Sequence, residues 1–442
     1  MTEFSSQTLG HDTQGQFAID VVIGIDYGTR FTKIAVAIGN RRQVILNKKG
    51  EGLLIPSTVF IGTNGEIVSF PDPQPAGSVK IEYLKMLLAG ADNNLFQSVR
   101  TNINGKPLHS LVQPLAAFFL GNLVRHIRRA MLQGRPELPQ RKINWFLNVG
   151  APVQHCDADL KAFKEVAAVA FEWGRSASQK LSLDQLSETY VDTLRKIDLD
   201  SSPAFVVPEL TAALHEFVRD PNRADALYGF VDIGGGTIDG AIFHVNRSEI
   251  GSPLRIHCAK VACAGTMAVS RLMLAQIYLK ISDHIEFPLL GTSNNPTINI
   301  PLAEPLSFHG DQSARDEVQN VIGTIAHQTS QHIYPGTGKD FIHLRIFLAG
   351  GGASSAWYKN SIERTFVDRN LHQFGYSGLH AELVGKPAGY SGNDYSRFVV
   401  ALGLADPNAS LVDAMLPSQF RKAELNMPPP KVPDYMDTKD WT

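Results

Sequence analysis

Phe230-Val231-Asp232-Ile233-Gly234-Gly235-Gly236-Thr237-Ile238-Asp239-Gly240 is the stretch on which the fold turns. An apolar run delivers a carboxylate to its end, three glycines and a threonine follow, and a second apolar run begins. The pattern predicts strand, turn, strand, with Asp232 at the turn. Glycine permits positive φ and close approach of a ligand to the backbone. Consecutive turn amides form a concave nest for an anion. A carboxylate repels phosphate but can hold a hydrated Mg²⁺ that phosphates bridge. On its own the run reads equally as a glycine-rich hairpin turn.

A second copy of the idea weighs against the plain hairpin. Ile23-Gly24-Ile25-Asp26-Tyr27-Gly28-Thr29-Arg30-Phe31-Thr32-Lys33 also sets a carboxylate after an apolar run, then glycine and threonine, then the apolar Ile34 to Ile38. Two such units suggest two related halves facing one ligand. A third glycine site, Gly350-Gly351-Gly352, follows the apolar run Ile342 to Ala349. A predicted helix, Trp357 to Phe366, lies beyond it, so the junction could let a flat ring or ribose lie against the backbone. Pro335-Gly336-Thr337-Gly338-Lys339-Asp340 has glycines too close to its lysine for a Walker loop, and no Ser or Thr follows.

The chain has 442 residues, 43% hydrophobic and 19% charged, with a formal net charge of -2. That is an ordinary globular composition long enough for two or three domains. Near-neutral charge gives no electrostatic case for nucleic acid. No apolar run reaches the roughly eighteen residues that span a membrane, and the polar N-terminus lacks a signal-peptide core. Cys156, Cys258 and Cys263 are too few and too scattered for a disulfide framework or a zinc knuckle, so they read as buried apolar residues in a reducing cytoplasm.

In order, residues 1–19 read as a loose tail. Strands are expected at Val21 to Ile25, Ile34 to Ile38, Leu53 to Ile61, Ile67 to Phe70, Ile143 to Val149, Phe205 to Val207, 228–233, 238–245 and 254–259. Helices are expected at Val79 to Leu88, Leu115 to Leu132 with Pro114 at its first turn, Ala158 to Trp173 with Gly174 as its stop, and Leu183 to Leu194. Further helices are expected at Leu210 to Phe217, Met267 to Lys280, Ala314 to His332 and Arg397 to Leu404. Residues 90–107 resist assignment, 285–310 read as an irregular insertion, and 406–442 as a Pro-rich tail.

Taken together, these segments resemble the actin/Hsp70/sugar-kinase ATPase superfamily, and most of all the nucleotide-binding domain of Hsp70-type chaperones, across roughly residues 20–405. Asp26-Tyr27-Gly28-Thr29 resembles the first phosphate motif and Asp232 to Asp239 the second. Glu209-Leu210-Thr211-Ala212-Ala213 and Val400-Ala401-Leu402-Gly403-Leu404 resemble the two connecting helices, and Leu348 to Gly352 the adenosine motif. The resemblance implies a two-lobed α/β fold, each lobe a mixed five-stranded sheet flanked by helices, with the nucleotide in the cleft. Lobe I would span 20–210, completed by 390–405, and lobe II 211–389.

By the same resemblance, ATP or ADP and Mg²⁺ are the cofactors. Asp26 and Asp232 would hold the metal through water, and Glu209 would orient a water. Gly28, Thr29, Arg30, Gly234, Gly235, Gly236 and Thr237 would surround the phosphates. Gly350, Gly351 and Gly352 would pack on ribose and adenine. Either Lys33, as in actin-like members, or Lys85, as in Hsp70 proteins, would contact phosphate. The implied function is a slow, Mg-dependent ATPase working as a nucleotide-dependent switch, with a protein partner, without nucleic acid or membrane, and with homo-oligomers open.

Departures are also visible. Leu210 replaces a proline, Cys263-Ala264-Gly265-Thr266 lacks the family's acid, and residues 406–442 are too few for a peptide-binding domain. Alternatives are a nucleotide-binding scaffold of weak catalysis, an actin-like filament protein suggested by Lys33, and a small-molecule kinase with Asp239 as base.

Overall fold

The structure is a computed structural model. It describes residues 18–39, 41–47, 50–90, 102–103, 105–152, 160–176, 181–219, 226–245, 254–266, 269, 308–333, 342–385, 394–407 and 414–417. The expected helix at Met267 to Lys280, the turn at Pro335 to Asp340, Cys156 and most of the tail, insertion and Pro-rich segments lie outside these residues.

The first half of the chain opens with β1 (Ile19–Asp26), β2 (Phe31–Ile38) and β3 (Arg41–Val44). Four short strands follow: β4 (Ile55–Pro56), β5 (Val59–Ile61), β6 (Ile67–Ser69) and β7 (Val79–Ile81). Next come α1 (Leu84–Leu88), β8 (Asn102–Ile103), β9 (Lys106–Pro107), α2 (Leu108–Gly134) and β10 (Ile143–Ala151). The half ends with α3 (Lys161–Arg175), α4 (Leu183–Lys196) and β11 (Ala204–Pro208). Its main sheet runs β11-β10-β1-β2-β3, with β4 paired to β2.

The second half begins with α5 (Glu209–Arg219), β12 (Ala226–Ile233), β13 (Ile238–Val245) and β14 (Leu254–Ala262). It continues with α6 (Phe308–Ile333), β15 (Ile342–Ala349), α7 (Ala356–Asp368), β16 (Tyr376–Leu383), α8 (Tyr395–Leu404) and β17 (Ala414–Met415). Its sheet runs β16-β15-β12-β13-β14-β17. In both sheets the first strand pairs antiparallel with the second and parallel with a later strand. The expected two-lobed α/β architecture is therefore present as a duplicated five-strand order, with one short extra strand on each sheet.

Period-two alternation places the cores. In β1, Val21, Ile23 and Ile25 face the core shared with α2 and α3, while Val22 faces the core between the sheets. In β12, Tyr228 and Phe230 face that middle core, and Val231 and Ile233 face α6 and α7. This is what a strand buried on both faces requires. The two inner faces differ in size. Gly24, Ala35 and Ala37 leave room for α8 to lie directly on the first sheet, where a Cβ at Gly24 would meet the Ala405 nitrogen at 2.3 Å. The second sheet instead presents aromatics to α5: Phe217 stacks at 4.7 Å on Phe347 and 5.1 Å on Tyr228. Each such buried ring is worth about 1.5–3 kcal/mol.

The two helices cross where both have small residues. A Cβ on Gly403 would lie 1.8 Å from the Ala212 carbonyl oxygen. The pair α2 and α3 uses the same device, since Gly174 packs on Val124 and Gly121 on Ala170. Gly174 is thus an interior contact of α3 rather than its stop.

Other expectations change with tertiary context. Val79 to Leu88 is not one helix: β7 pairs with β5, and Tyr83 at φ 62 breaks the chain before α1. Pro114 lies inside α2, which begins six residues earlier, at Leu108. Burial of Leu111, Leu115, Phe118 and Phe119 outweighs the hydrogen bond that a proline removes. Leu53 to Ile61 divides into β4 and β5, in different sheets. The strands β3 and β16 carry no strong apolar run and escape the sequence reading. Cys258 is buried and Cys263 only partly so. Among the described residues no helix is long and apolar enough to cross a membrane.

Gly403→Ala tests the helix crossing. A methyl group gains about 1 kcal/mol of helix propensity but cannot fit against a backbone carbonyl without parting the helices. We expect net destabilisation of about 1–3 kcal/mol, read from the denaturant midpoint. An unchanged or higher midpoint would show that the crossing yields freely.

Candidate functional site

The register of the two sheets builds the site. Asp26, the last residue of β1, stands opposite Lys33 of β2. Asp232, near the end of β12, stands opposite Asp239 of β13. The duplicated topology therefore makes Asp26 and Asp232 equivalent, and Lys33 and Asp239 equivalent. Glu209 opens α5, directly after β11. Lys85 belongs to α1.

These residues meet in one cleft. It is lined by both turns and by residues of the connecting helices, and it encloses about 750 Å³ including space open to solvent. Asp26, Gly28, Thr29, Arg30, Lys33, Lys85, Glu209, Asp232, Gly234, Gly235, Thr237 and Gly351 all line it.

Gly236, Gly350 and Gly352 lie just behind the lining. Gly236 is where the two turns touch: a Cβ there would meet Met86 Sδ at 2.7 Å and Thr29 Cγ2 at 2.8 Å. Gly350 adopts φ 86, and a Cβ would reach Asp232 Oδ1 at 2.1 Å. The Gly352 amide donates to the Ile233 carbonyl at 2.9 Å. None of Gly234, Gly235 and Gly236 has left-handed backbone. The second turn needs glycine for close approach rather than for positive φ.

Backbone bonds hold both turns. The Gly28 amide donates to the Asp26 carbonyl at 3.0 Å, and Ser57 Oγ donates to the Gly28 carbonyl at 2.6 Å. The Gly234 amide donates to the Thr237 carbonyl at 2.9 Å, and the Thr266 amide donates to the Gly234 carbonyl at 3.0 Å. The Gly265–Thr266 segment thus backs the second turn, although it lacks the acid the resemblance led one to expect.

The charges are buried and crowded. Lys33 Nζ pairs with Asp26 Oδ2 at 2.5 Å, and Lys85 Nζ with Glu209 Oε1 at 2.5 Å. Both lysines reach the cleft, and each is engaged by a carboxylate. Asp232 Oδ1 is buried and has no hydrogen-bond partner among the described residues. Three carboxylates thus share two ammonium groups. Burial pushes the Glu209 carboxyl up to about 7, with Lys85 opposing and Asp26 and Asp232 adding to the rise. Burial also raises Asp232, against Lys33 and Lys85 and with Asp26. At Lys85 burial disfavours the charge, but Glu209, Asp26 and Asp232 together raise its value.

Sequence reasoning did not select Phe31, Leu54, Pro152, Thr266 and Arg397 as cleft residues, yet they line it. Asp239, weighed only as a possible base, lines it too. Arg397 had no local signal, because it lies inside the apolar helix α8. Among the described residues there is no group of three or more His, Cys, Asp or Glu arranged to hold a metal ion by direct ligation.

The duplicated sheets and their shared cleft are consistent with the actin/Hsp70-like ATPase superfamily fold, and they single out no family within it. Neither a protein-family model nor a curated protein matches the chain.

Glu209→Gln tests the charge imbalance. The folded state raises this carboxyl from 4.5 to about 7. Its contribution to stability is therefore full below the unfolded value and lost as pH rises through about 7. The variant should be more stable than the wild type near pH 8, by roughly 1–3 kcal/mol, with the gap closing towards pH 5. Thermal scans across that window read it; a gap independent of pH would place the surplus charge elsewhere.

Proposed function

We propose that the chain is an Hsp70-like, Mg²⁺-dependent ATP-binding protein that slowly hydrolyses ATP to ADP and phosphate. Its nucleotide state would set the relation of the two lobes. The observation that supports this reading best is the meeting of Asp26, Asp232, Glu209, Lys33 and Lys85 in one open cleft between two glycine turns.

The residues fit a hydrated divalent cation. Asp232 Oδ1, buried with no hydrogen-bond partner among the described residues, offers a carboxylate oxygen to its waters. A water-bridged ion also needs no three-residue ligand cluster. When bound, Mg²⁺ supplies charge neutralisation for the polyphosphate. Asp26 and Asp232 would hold its waters. Glu209, with a carboxyl near 7, would orient a water and take a proton from it. Gly28, Thr29, Gly234, Gly235 and Thr237 would offer amides and hydroxyls to phosphate oxygens, and Gly351 would face the nucleoside end. Phosphoryl transfer asks mainly for such positioning and charge balance.

The crossing of α5 and α8 supports the switch: both helices lie in the core between the sheets and touch at Ala212 and Gly403. Hinge closure around a ligand would act through such a crossing. A cytoplasmic setting and a protein partner that reads the nucleotide state belong to the same proposal.

One observation favours a second reading, a nucleotide-binding scaffold of little turnover. Glu209 is tied to Lys85 and tends to hold its own proton near neutrality, which weakens it as a base.

Calorimetry with ATP and ADP, with and without Mg²⁺, combined with a phosphate-release assay, separates these readings. The ATPase reading expects Mg-dependent ATP binding with slow phosphate release. It also expects Asp232→Asn to lower turnover about 100-fold or more while the unfolding temperature stays the same or rises. Tight binding without release favours the scaffold. A purified wild-type protein that binds no nucleotide would sink both.

A further inference from the structure

Two positive side chains in the cleft have no role in the proposed mechanism, although the resemblance sets Arg30 near the phosphates. Arg30 follows Thr29 in the first turn, and Arg397 lies in the first turn of α8. Both line the cleft and both are half-buried. The Arg30 guanidinium lies 5.1 Å from the Phe31 ring centre, and Leu54 and Pro152 line the same cleft beside its charged residues. The backbone at each is fixed. The Ser57 amide donates to the Arg30 carbonyl at 3.0 Å, and the Gly350 amide donates to the Ser396 carbonyl at 2.9 Å.

The other cations of the cleft are committed. Lys33 is held by Asp26 and Lys85 by Glu209. Neither arginine makes an ion pair or side-chain hydrogen bond with any described residue; Glu82 near Arg30 and Asp394 near Arg397 act only at longer range. A half-buried guanidinium without a partner is costly unless an anion meets it. Burial accordingly lowers the value of both groups. A planar guanidinium matches phosphoryl oxygens with two parallel hydrogen bonds, which an ammonium group cannot do.

We infer that Arg30 and Arg397, rather than Lys33 and Lys85, are the charged residues that meet the polyphosphate of the cleft's ligand and set its preference for a triphosphate. The two lysines hold carboxylates in place. This inference rests on the reading of the cleft as a nucleotide site, and its test keeps the two separable.

The test measures binding of ATP, ADP, adenosine and inorganic triphosphate, each with Mg²⁺, to the full chain. It compares wild type with Arg30→Ala, Arg397→Ala and Arg397→Lys, after thermal unfolding shows each variant folded. The expected result is a loss of about 10-fold or more in ATP and triphosphate affinity for each alanine variant. ADP should lose less, adenosine less than about 2-fold, and Arg397→Lys should restore affinity only in part. Unchanged ATP affinity in both alanine variants overturns the inference while leaving the nucleotide reading standing. An equal loss for adenosine and ATP also overturns it, because that marks a structural role. Wild-type protein that binds triphosphate through these arginines but binds no nucleotide would support the inference and sink the nucleotide reading. Binding of neither overturns both.

Discussion

Three carboxylates and two ammonium groups buried together at the junction of two sheets form the constraint on which this molecule depends. Asp26, Asp232 and Glu209 cannot all be compensated by Lys33 and Lys85. Burying unbalanced charge costs several kcal/mol per ion unless it is paired, protonated or bridged. The surrounding fold therefore holds the charges at fixed positions against their repulsion. The strand ends fix Asp26 and Asp232, the start of α5 fixes Glu209, and backbone bonds within both turns leave little room for relaxation. Asp239, Arg30 and Arg397 also line the cleft, so its four carboxylates face four cationic side chains.

The duplicated sheet order explains how one chain produces that site. Two strand–turn–strand units of the same topology face each other, so their turns arrive at a common cleft. The copies have diverged where the chemistry differs. Lys33 and Asp239 occupy equivalent cross-strand positions with opposite charge. The inner faces of the sheets diverged as well. Small residues on the first let α8 lie close, and aromatics on the second hold α5 at a distance. The helices touch at Ala212 and Gly403, and the halves also meet where the Gly350 amide donates to the Ser396 carbonyl and where Gly236 lies against Thr29 and Met86.

Much of this was legible from residue order. The runs at 238–245 and 342–349 are strands with the boundaries that their apolar β-branched composition indicates. Asp26 and Asp232 could be selected because each follows an apolar run at a strand end, and Glu209 through the resemblance of Glu209 to Ala213 to a connecting helix. Other features were hidden for identifiable reasons. Arg397 lies in a helix whose composition signals only burial. The segment Tyr376–Leu383 is an edge strand whose mixed exposure dilutes its pattern. Val79–Ile81 carries a helix-compatible composition and becomes a strand because Val59–Ile61 offers it hydrogen bonds.

The amino-acid order by itself determined which residues could do chemistry, since carboxylates, lysines and glycines at strand ends are local features. Its two strand–Asp–Gly–Thr–strand units suggested two related halves, and the two-lobed α/β class followed from the resemblance that those motifs carry. Only the tertiary structure decided how the charges are shared. The pairing of Lys33 with Asp26 depends on cross-strand register, and that of Lys85 with Glu209 on the fold bringing residues 124 positions apart together. The stranding of Asp232 Oδ1 depends on the glycine loop packed over it. Electrostatic energies at such a site vary with ångström-scale distance and with burial, and neither is written in the spacing of residues along a chain.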